Sequence, residues 1–297
     1  IKAIKLLRDY GFKVDLHIMP DLPGSTPEKD KEMMRRILDT CEFKPDYLKI
    51  YPCLDVEFTE IRKWKQNGDW KPYSEEGTGE KLLDVCVYAK RLSKYYIRFN
   101  RIQRDFPEES TDRIGYKSTN IRANFRQMLQ NECKRIGVSC KCIRCCEVKH
   151  RALQCPAYGV DTYEASNGTE RFIHCSSNNR SVLYGFARLR LSRDNFKRCA
   201  FIRELHVYGT INDIDKKGTQ NSTQHKGIGK TLMRIAETYA YFHGYSLVLV
   251  ISGVGVREYY RKLGYSFHEH GHYMKKRLNL LDIVYNIIYI IVHLMRT

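Results

Sequence analysis

Cysteine thiols crowd into residues 140–146, where Cys140, Cys142 and Cys145 follow a Cys-x-Cys-x-x-Cys spacing. Thiolates this close in sequence converge on one ion if the chain turns, and structural Zn²⁺ sites use four ligands. Candidates for the fourth ligand are Cys146, Cys133, His150 and His174. The alternative is a set of reduced, partly buried cysteines. Nothing beside the cluster indicates an activated water, so a metal here would be structural.

A glycine-containing turn, QHKGIG at residues 224–229, follows a predicted strand and opens a predicted helix. Gly227 and Gly229 let the backbone approach a ligand closely, and the free amides of the first helical turn point outward. This end of a helix carries partial positive charge and holds a pyrophosphate well. The pattern therefore indicates a phosphate-binding turn, although glycine turns before helices are common.

The elements that position these residues fall into two patterns. Residues 1–137 alternate between helical and strand periodicity, with strands near residues 12–19, 47–51 and 95–101. Strands separated by helices predict βα units and a parallel sheet. About three units are visible, which is too few for a closed barrel of eight. We therefore predict the back part of a barrel.

A different pattern follows the cysteine-rich connector at residues 138–150. Residues 151–277 contain apolar strands at 182–191, 201–207 and 247–252, and the helix that starts at Gly227 lies between the last two. A short helix is expected over residues 257–263. This order predicts a separate α/β domain whose phosphate-binding turn follows a central strand.

The last segment, residues 278–297, is almost entirely apolar and is preceded by Lys275, Lys276 and Arg277. It has roughly the 20 residues that a helix needs to span a bilayer. We predict a tail anchor with the rest of the chain on the cytosolic side, in the mitochondrial outer membrane or the endoplasmic reticulum. Asp282, Asn286 and His293 favour the alternative, a helix packed on the preceding domain of a chain that is soluble in cytoplasm or nucleus.

The charge balance indicates a polyanionic partner. The net charge is +17 and the isoelectric point is about 9.3. Such an excess attracts nucleic acid or an anionic membrane surface. Basic side chains interleaved with aromatic ones could follow phosphates and stack bases, or form a solvated face. These residues are Arg98, Arg101, Arg104 and Lys117, with Tyr95, Tyr96 and Phe99.

The glycine turn resembles the pyrophosphate loop of the GNAT acetyltransferases, which also carry an aromatic pair before a Gly-aromatic step, as in YYRKLGY at residues 259–265. With residues 203–209 and 250–255, these segments resemble the acetyltransferase domain of the Elongator catalytic-subunit family. Residues 17–24, 46–52 and 98–107 resemble that family's radical-SAM domain. The resemblance covers about residues 1–277.

The resemblance implies an α/β chain: the C-terminal part of a radical-SAM-type βα barrel, a GNAT domain and a hydrophobic C-terminal helix. It implies acetyl-CoA as ligand, Tyr260 as proton donor to the departing sulfur, and Glu204 as a candidate base. In the family, a radical made from SAM at a [4Fe-4S] cluster activates the acetyl methyl group, which becomes a carboxymethyl group on the tRNA wobble uridine. The implied ligand-binding residues are Glu204, Leu205, His206, Val207, Gln224, Gly227, Ile228, Gly229, Lys230 and Tyr260.

Two alternatives to the tRNA-modifying enzyme stay open. One is a GNAT enzyme that acetylates lysines of histones or other proteins, and the other is a scaffold that binds the other Elongator subunits. A barrel remnant joined to the acetyltransferase favours tRNA, since lysine acetylation needs no radical domain. The chain starts with Ile1 inside a helical pattern, so we expect the cluster's cysteine triad in a missing N-terminal half.

Overall fold

The computed structural model describes residues 1–103, 125–149, 151, 153, 155–192, 199–209, 227–268 and 271–295. It divides into two compact units. One is Asp15–Cys145, and the other combines Ile1–Val14 with Cys146–Thr297. The predicted boundary assigned the first 14 residues to the barrel-like region. The structure instead places them, including helix α1 (Lys2–Asp9), with the C-terminal unit.

The Asp15–Cys145 unit contains the predicted βα pattern. Its three-stranded sheet is parallel throughout, with strand order β1-β2-β3. Helix α2 starts with Thr26 as N-cap and Pro27 in the first turn. The elements are β1 Asp15–Ile18, α2 Pro27–Asp39, β2 Tyr47–Ile50, α3 Glu60–Asn67, α4 Glu80–Arg91, β3 Arg98–Ile102 and α5 Phe125–Arg135. Helix α6, Ile143–Cys146, lies at its end.

Asp21, in the turn after β1, holds this unit together. Its buried carboxylate accepts hydrogen bonds from the backbone amides of Tyr73 at 2.8 Å and Ser74 at 3.1 Å. The Asp21 amide donates to Asp30, which also accepts from the Tyr73 hydroxyl. Burial raises the pKa of Asp21 to about 6. Part of the 17–24 motif is therefore explained by folding, because Asp21 satisfies buried amides.

The other unit is built on a seven-stranded sheet in the order β4-β5-β6-β7-β8-β10-β9. All its strand pairs are antiparallel except β7 with β8. Helix α7 covers the sheet through Leu232, Ala236 and Ala240, which are four residues apart and fully buried. The elements are β4 Pro156–Ala165, β5 Gly168–Ser177, β6 Leu183–Leu191, β7 Ala200–Val207, α7 Ile228–Phe242, β8 Leu247–Ile251, α8 Arg257–Lys262, β9 Ser266–Phe267, β10 Tyr273–Arg277 and α9 Leu280–Leu294.

Buried ion pairs attach α1 to this sheet. Arg190 donates to Asp9 at 2.7 Å and to Glu170 at 3.0 Å, and Arg203 donates to Glu170 at 2.8 Å. Arg203 also donates to the Phe12 carbonyl oxygen at 3.0 Å. The contacts of Asp9 with Arg190 and of Phe12 with Arg203 join residues 181 and 191 positions apart, which local periodicity does not reveal.

Helix α9 packs on α7 through Asn286, one of the polar residues that weakened the anchor prediction. Asn286 is fully buried; it accepts a hydrogen bond from Arg234 and donates to Glu237 at 2.9 Å. Asp282 forms a capping box with Asn279, and His293 lies 3.1 Å from the Tyr158 hydroxyl. No helix in the described part of the chain is long and apolar enough to cross a membrane. The anchor prediction is therefore not supported, and the packed-helix alternative describes α9.

Candidate functional site

The parallel pairing of β7 with β8 ends just before the predicted ligand-binding residues of β7. The ladder between β7 and β8 runs from Ala200 to Ile202, while β7 continues to Val207. On its other side β7 carries a β-bulge, because Arg203 lies between the two residues that pair with Arg188 and Leu189 of β6. A bulge re-aims the residues that follow it. Residues 204–207 therefore extend past the parallel ladder on a redirected strand.

The start of α7 meets the end of β7. Gly227 has a φ of 78° and caps the helix. A Cβ on Gly229 would lie 2.8 Å from the Tyr259 hydroxyl and 3.4 Å from Val207 Cγ2. A side chain at this position would displace the Tyr259 hydroxyl, so glycine permits the close approach of α8 to α7. The predicted phosphate turn thus places its helical amides beside β7 and α8. Gln224 lies outside the described residues.

The other predicted contact residues surround this junction with different exposure. Leu205 and Val207 pack at the edge of the core, and Ile228 is inside it. The His206 ring is exposed and stacks on Phe186, with centroids 6.0 Å apart. Lys230 places its ammonium 4.6 Å from the centre of the Tyr289 ring of α9. The structure therefore brings Val207 and Gly229 together at this junction, whereas Lys230 is directed toward α9.

Two cationic side chains form ion pairs with the Glu204 carboxylate. Its carboxylate accepts from Arg188 Nε at 2.8 Å and lies 3.7 Å from Lys13 Nζ. Arg188 is 1% exposed, so this pair is largely removed from water. The predicted role as a base would have to compete with these partners. Neither Arg188 nor Lys13 was identified from the sequence, because the contacts depend on the bulge and on the N-terminal segment.

The two tyrosines of α8 occupy different places. Tyr260, the predicted proton donor, is 5% exposed, and burial raises its pKa to about 12. It lies edge-on between Tyr259 and Tyr265, with ring centroids 5.4 and 5.9 Å away. Tyr259 is 38% exposed and its hydroxyl reaches Gly229. Both phenols are protonated at neutral pH, as a proton donor requires. Tyr259, whose hydroxyl lies beside the start of α7, is a second candidate donor that was not identified from the sequence.

The cysteine cluster lies in the other unit. The sulfur atoms of Cys140, Cys142 and Cys145 lie within 4.8 Å of one another. Ligands of a tetrahedral zinc with Zn–S distances near 2.3 Å are about 3.8 Å apart, so the three thiols fit such an ion. Hydrogen bonds with Cys142 and Cys145 lower the pKa of Cys140, which favours a thiolate. Lys90 Nζ is 3.8 Å from Cys145 Sγ.

Among the residues that the structure describes, no fourth cysteine or histidine joins the three thiols of this cluster. The group contains neither Cys133 nor Cys146. His174 belongs to the other unit and hydrogen-bonds Ser176 Oγ at 3.1 Å. His150 lies outside the described residues. The three predicted thiols are therefore brought together, whereas the fourth ligand stays a prediction.

Comparison with known proteins matches both parts of this architecture. Residues 45–135 match the Radical SAM C-terminal domain. The chain is 38% identical over 292 residues to the tRNA uridine(34) acetyltransferase of Methanocaldococcus jannaschii, a match that covers 94% of this chain and 52% of that protein. It is 33% identical to Elongator complex protein 3 of Homo sapiens, over 93% of this chain and 51% of that protein.

A solved structure agrees with these matches. The archaeal Elp3 of Methanocaldococcus infernus with an N-terminal deletion superposes with a TM-score of 0.80 at 36% identity, over 93% of this chain and 66% of that one. The chain belongs to the Elongator complex protein 3 family. It has the α/β fold of that family's solved structure. The chain spans about half the length of the curated relatives it matches.

Proposed function

We propose that this chain carries the acetyl-CoA-binding unit and part of the radical-SAM domain of an enzyme that modifies the wobble uridine of tRNA. The observation that carries the proposal is the junction of β7, Gly229 and the two α8 tyrosines, in a chain 38% identical to a tRNA uridine(34) acetyltransferase. Relatives named for Elongator support other Elongator subunits as partners. No observation favours the lysine acetyltransferase alternative.

The C-terminal unit, which we propose has a GNAT fold, would act on the thioester with its own groups. The amides at the start of α7 bind the pyrophosphate, and the β7 segment after the bulge aligns the acetyl-pantetheine arm. When water attacks the carbonyl carbon and the C–S bond breaks, the phenol of Tyr260, or that of Tyr259, donates its proton to the departing sulfur, and the proton that the water loses reprotonates the phenol. SAM and a [4Fe-4S] cluster would supply the radical chemistry in the whole protein.

The test is release of CoA from acetyl-CoA by the 297-residue chain, with and without tRNA. We expect tRNA to accelerate CoA release and Tyr260→Phe to lower the accelerated rate about 100-fold, a typical contribution of a positioned acid. Tyr259→Phe, measured in parallel, identifies which phenol acts. Tyr241→Phe, near the far end of α7, should leave the rate unchanged. Acceleration by a lysine peptide but not by tRNA would contradict the proposal.

We further propose that Cys140, Cys142 and Cys145 hold a structural zinc ion. The purified chain should contain about one zinc per molecule, and Cys142→Ser should remove most of it, because a site with two thiolates left binds weakly. Mass spectrometry of the metal content measures this directly. Cys41→Ser, an exposed cysteine of the same unit, is the matched control. Equal zinc content in the two variants would contradict the site.

A further inference from the structure

A cation-lined cavity of about 120 Å³ opens at the C-terminal end of β3 in the Asp15–Cys145 unit. Four of its lining side chains are cationic, and none of the lining residues that the structure describes is acidic. The cations are Lys90, Arg101, Arg126 and Arg144. Like charges that converge on one concave surface raise the local concentration of anions. The cavity is therefore suited to an anion.

The four cations come from four different elements. Lys90 is on α4, Arg101 on β3, Arg126 on α5 and Arg144 on α6. They meet only because the chain folds, in contrast to a run of basic residues on one solvated face. Of these four cations, only Arg101 was identified from the sequence. Convergence from separate elements distinguishes a formed cavity from an ordinary basic surface.

Two of the cations have contacts that hold them in place. Arg144 donates to the carbonyl oxygen of Asn100 in β3. Lys90 lies over the Phe99 ring, 4.7 Å from its centre, and approaches Cys145 Sγ. Because Arg144 lies between Cys142 and Cys145 in the chain, the turn that gathers the thiols also directs this guanidinium toward the cavity. Fixed cations bind an anion at lower entropic cost than flexible ones.

The amide side chains of Asn100, Gln103 and Gln130 complete the polar lining. Gln103 is buried and follows the last residue of β3 with a φ of 66°, a conformation that residues other than glycine rarely adopt. The backbone N–H of Gln103 donates to the Ile50 carbonyl oxygen at 2.8 Å, which fixes this turn beside β2. Hydrogen-bond donors that surround guanidinium groups are typical of phosphate recognition.

We propose that this cavity binds a phosphodiester of the tRNA backbone. The inference rests on the proposed tRNA substrate and adds a contact site for it. Exposed Arg101 and Arg126 make the phosphate contacts at the rim, while Lys90 and Arg144 supply charge from within. Contacts of this kind position the nucleic acid without reading its sequence. The site therefore strengthens binding of different tRNAs by similar factors.

The test compares the tRNA affinity of the full 297-residue chain with that of an Arg101→Gln/Arg126→Gln variant at several salt concentrations. We expect the affinity to fall at least about 10-fold at low salt and the slope of log K against log salt to decrease by about 1 to 2, one unit per lost phosphate contact. The matched control is Lys63→Gln/Arg135→Gln, which removes two exposed cations that pair with Glu60 and Glu132 in the same unit.

Each outcome of this comparison either supports the cavity as a phosphate site or contradicts it. A loss confined to the cavity variant, with the thermal midpoint unchanged, supports the site. Equal affinities and slopes for both double variants overturn it and leave the proposed function standing, since tRNA still binds. If the wild-type chain does not bind tRNA at low salt, the proposed substrate and the cavity site both fail. Inorganic phosphate at millimolar concentration should compete in the wild type more than in the cavity variant.

Discussion

We expect the Gly229→Val variant to bind acetyl-CoA about 10- to 100-fold more weakly than the wild-type chain. A Cβ at this position would lie 2.8 Å from the Tyr259 hydroxyl and 3.4 Å from Val207 Cγ2, so valine displaces the Tyr259 side chain and its methyl groups enter the space between β7, α7 and α8. Methyl groups in this space crowd the α7 amides that would bind the pyrophosphate. Isothermal titration with acetyl-CoA measures the affinity.

Two further variants separate this steric effect from general damage. Gly253→Val is the control, because a Cβ there would have no neighbour within 4 Å and its φ is −63°. Gly229→Ala combined with Tyr259→Phe removes the hydroxyl that the new methyl group would touch, and should recover most of the affinity lost by Gly229→Ala alone. Unchanged binding by Gly229→Val would show that the ligand lies elsewhere.

The second large effect concerns the buried charges beneath α1. Replacing Glu170 with alanine removes the carboxylate that binds Arg190 and Arg203, and leaves an excess of positive charge among these buried guanidinium groups, because Asp9 pairs with Arg190 only. Breaking a buried pair in this way destabilises a protein by about 3 to 5 kcal/mol. In a unit of this size the apparent melting temperature should fall by about 10 °C. Differential scanning calorimetry measures the change.

The surface pair of Glu258 and Arg261 provides the comparison. Their side chains are 65% and 52% exposed, so solvent screens the interaction and Glu258→Ala should leave the melting temperature nearly unchanged. Hydrogen exchange should also show faster exchange in α1 for Glu170→Ala, since Asp9 is attached through Arg190. A melting temperature equal to that of the wild type would contradict the structural role of this network.

Much of the fold follows from local signals in the sequence. The helix that starts after Gly227 and the apolar strands at 201–207 and 247–252 were predicted close to their observed bounds, because α7 has helical spacing and β7 and β8 are buried. The parallel sheet of the other unit was also predicted from strands alternating with helices. These elements carry their periodicity within a dozen residues.

Other elements depend on signals that were overlooked or that act over long range. The β4–β5 hairpin has Asn167-Gly168 at its turn, and Ser166 and Asn167 both have positive φ, a combination typical of tight hairpins. That signal was available and missed. The position of α1 was not available, because it depends on ion pairs between residues distant in the chain. The anchor prediction for α9 is not supported, because Asn286 is buried against α7 and an apolar composition does not reveal such a contact.

Some residues of the candidate site were identified from the sequence, and others depend on contacts that only the fold creates. Residue type and spacing identified the cysteine cluster and the glycine turn, since both motifs act through neighbours in sequence. The partners of Glu204 could not be predicted, because Arg188 reaches it across a β-bulge and Lys13 comes from the N-terminal segment. The sequence identified the adjacent tyrosines but not which of them reaches Gly229, since this depends on the rotation of α8.

The most direct test of the acetyl-CoA site is hydrogen exchange of the 297-residue chain with and without acetyl-CoA. The amides of residues 203–209 and 227–233 should become protected, since these segments meet at the proposed site and contribute backbone groups to the ligand. The far end of α7 should exchange at an unchanged rate. Protection confined to the Asp15–Cys145 unit, or no protection at saturating acetyl-CoA, would contradict the assignment.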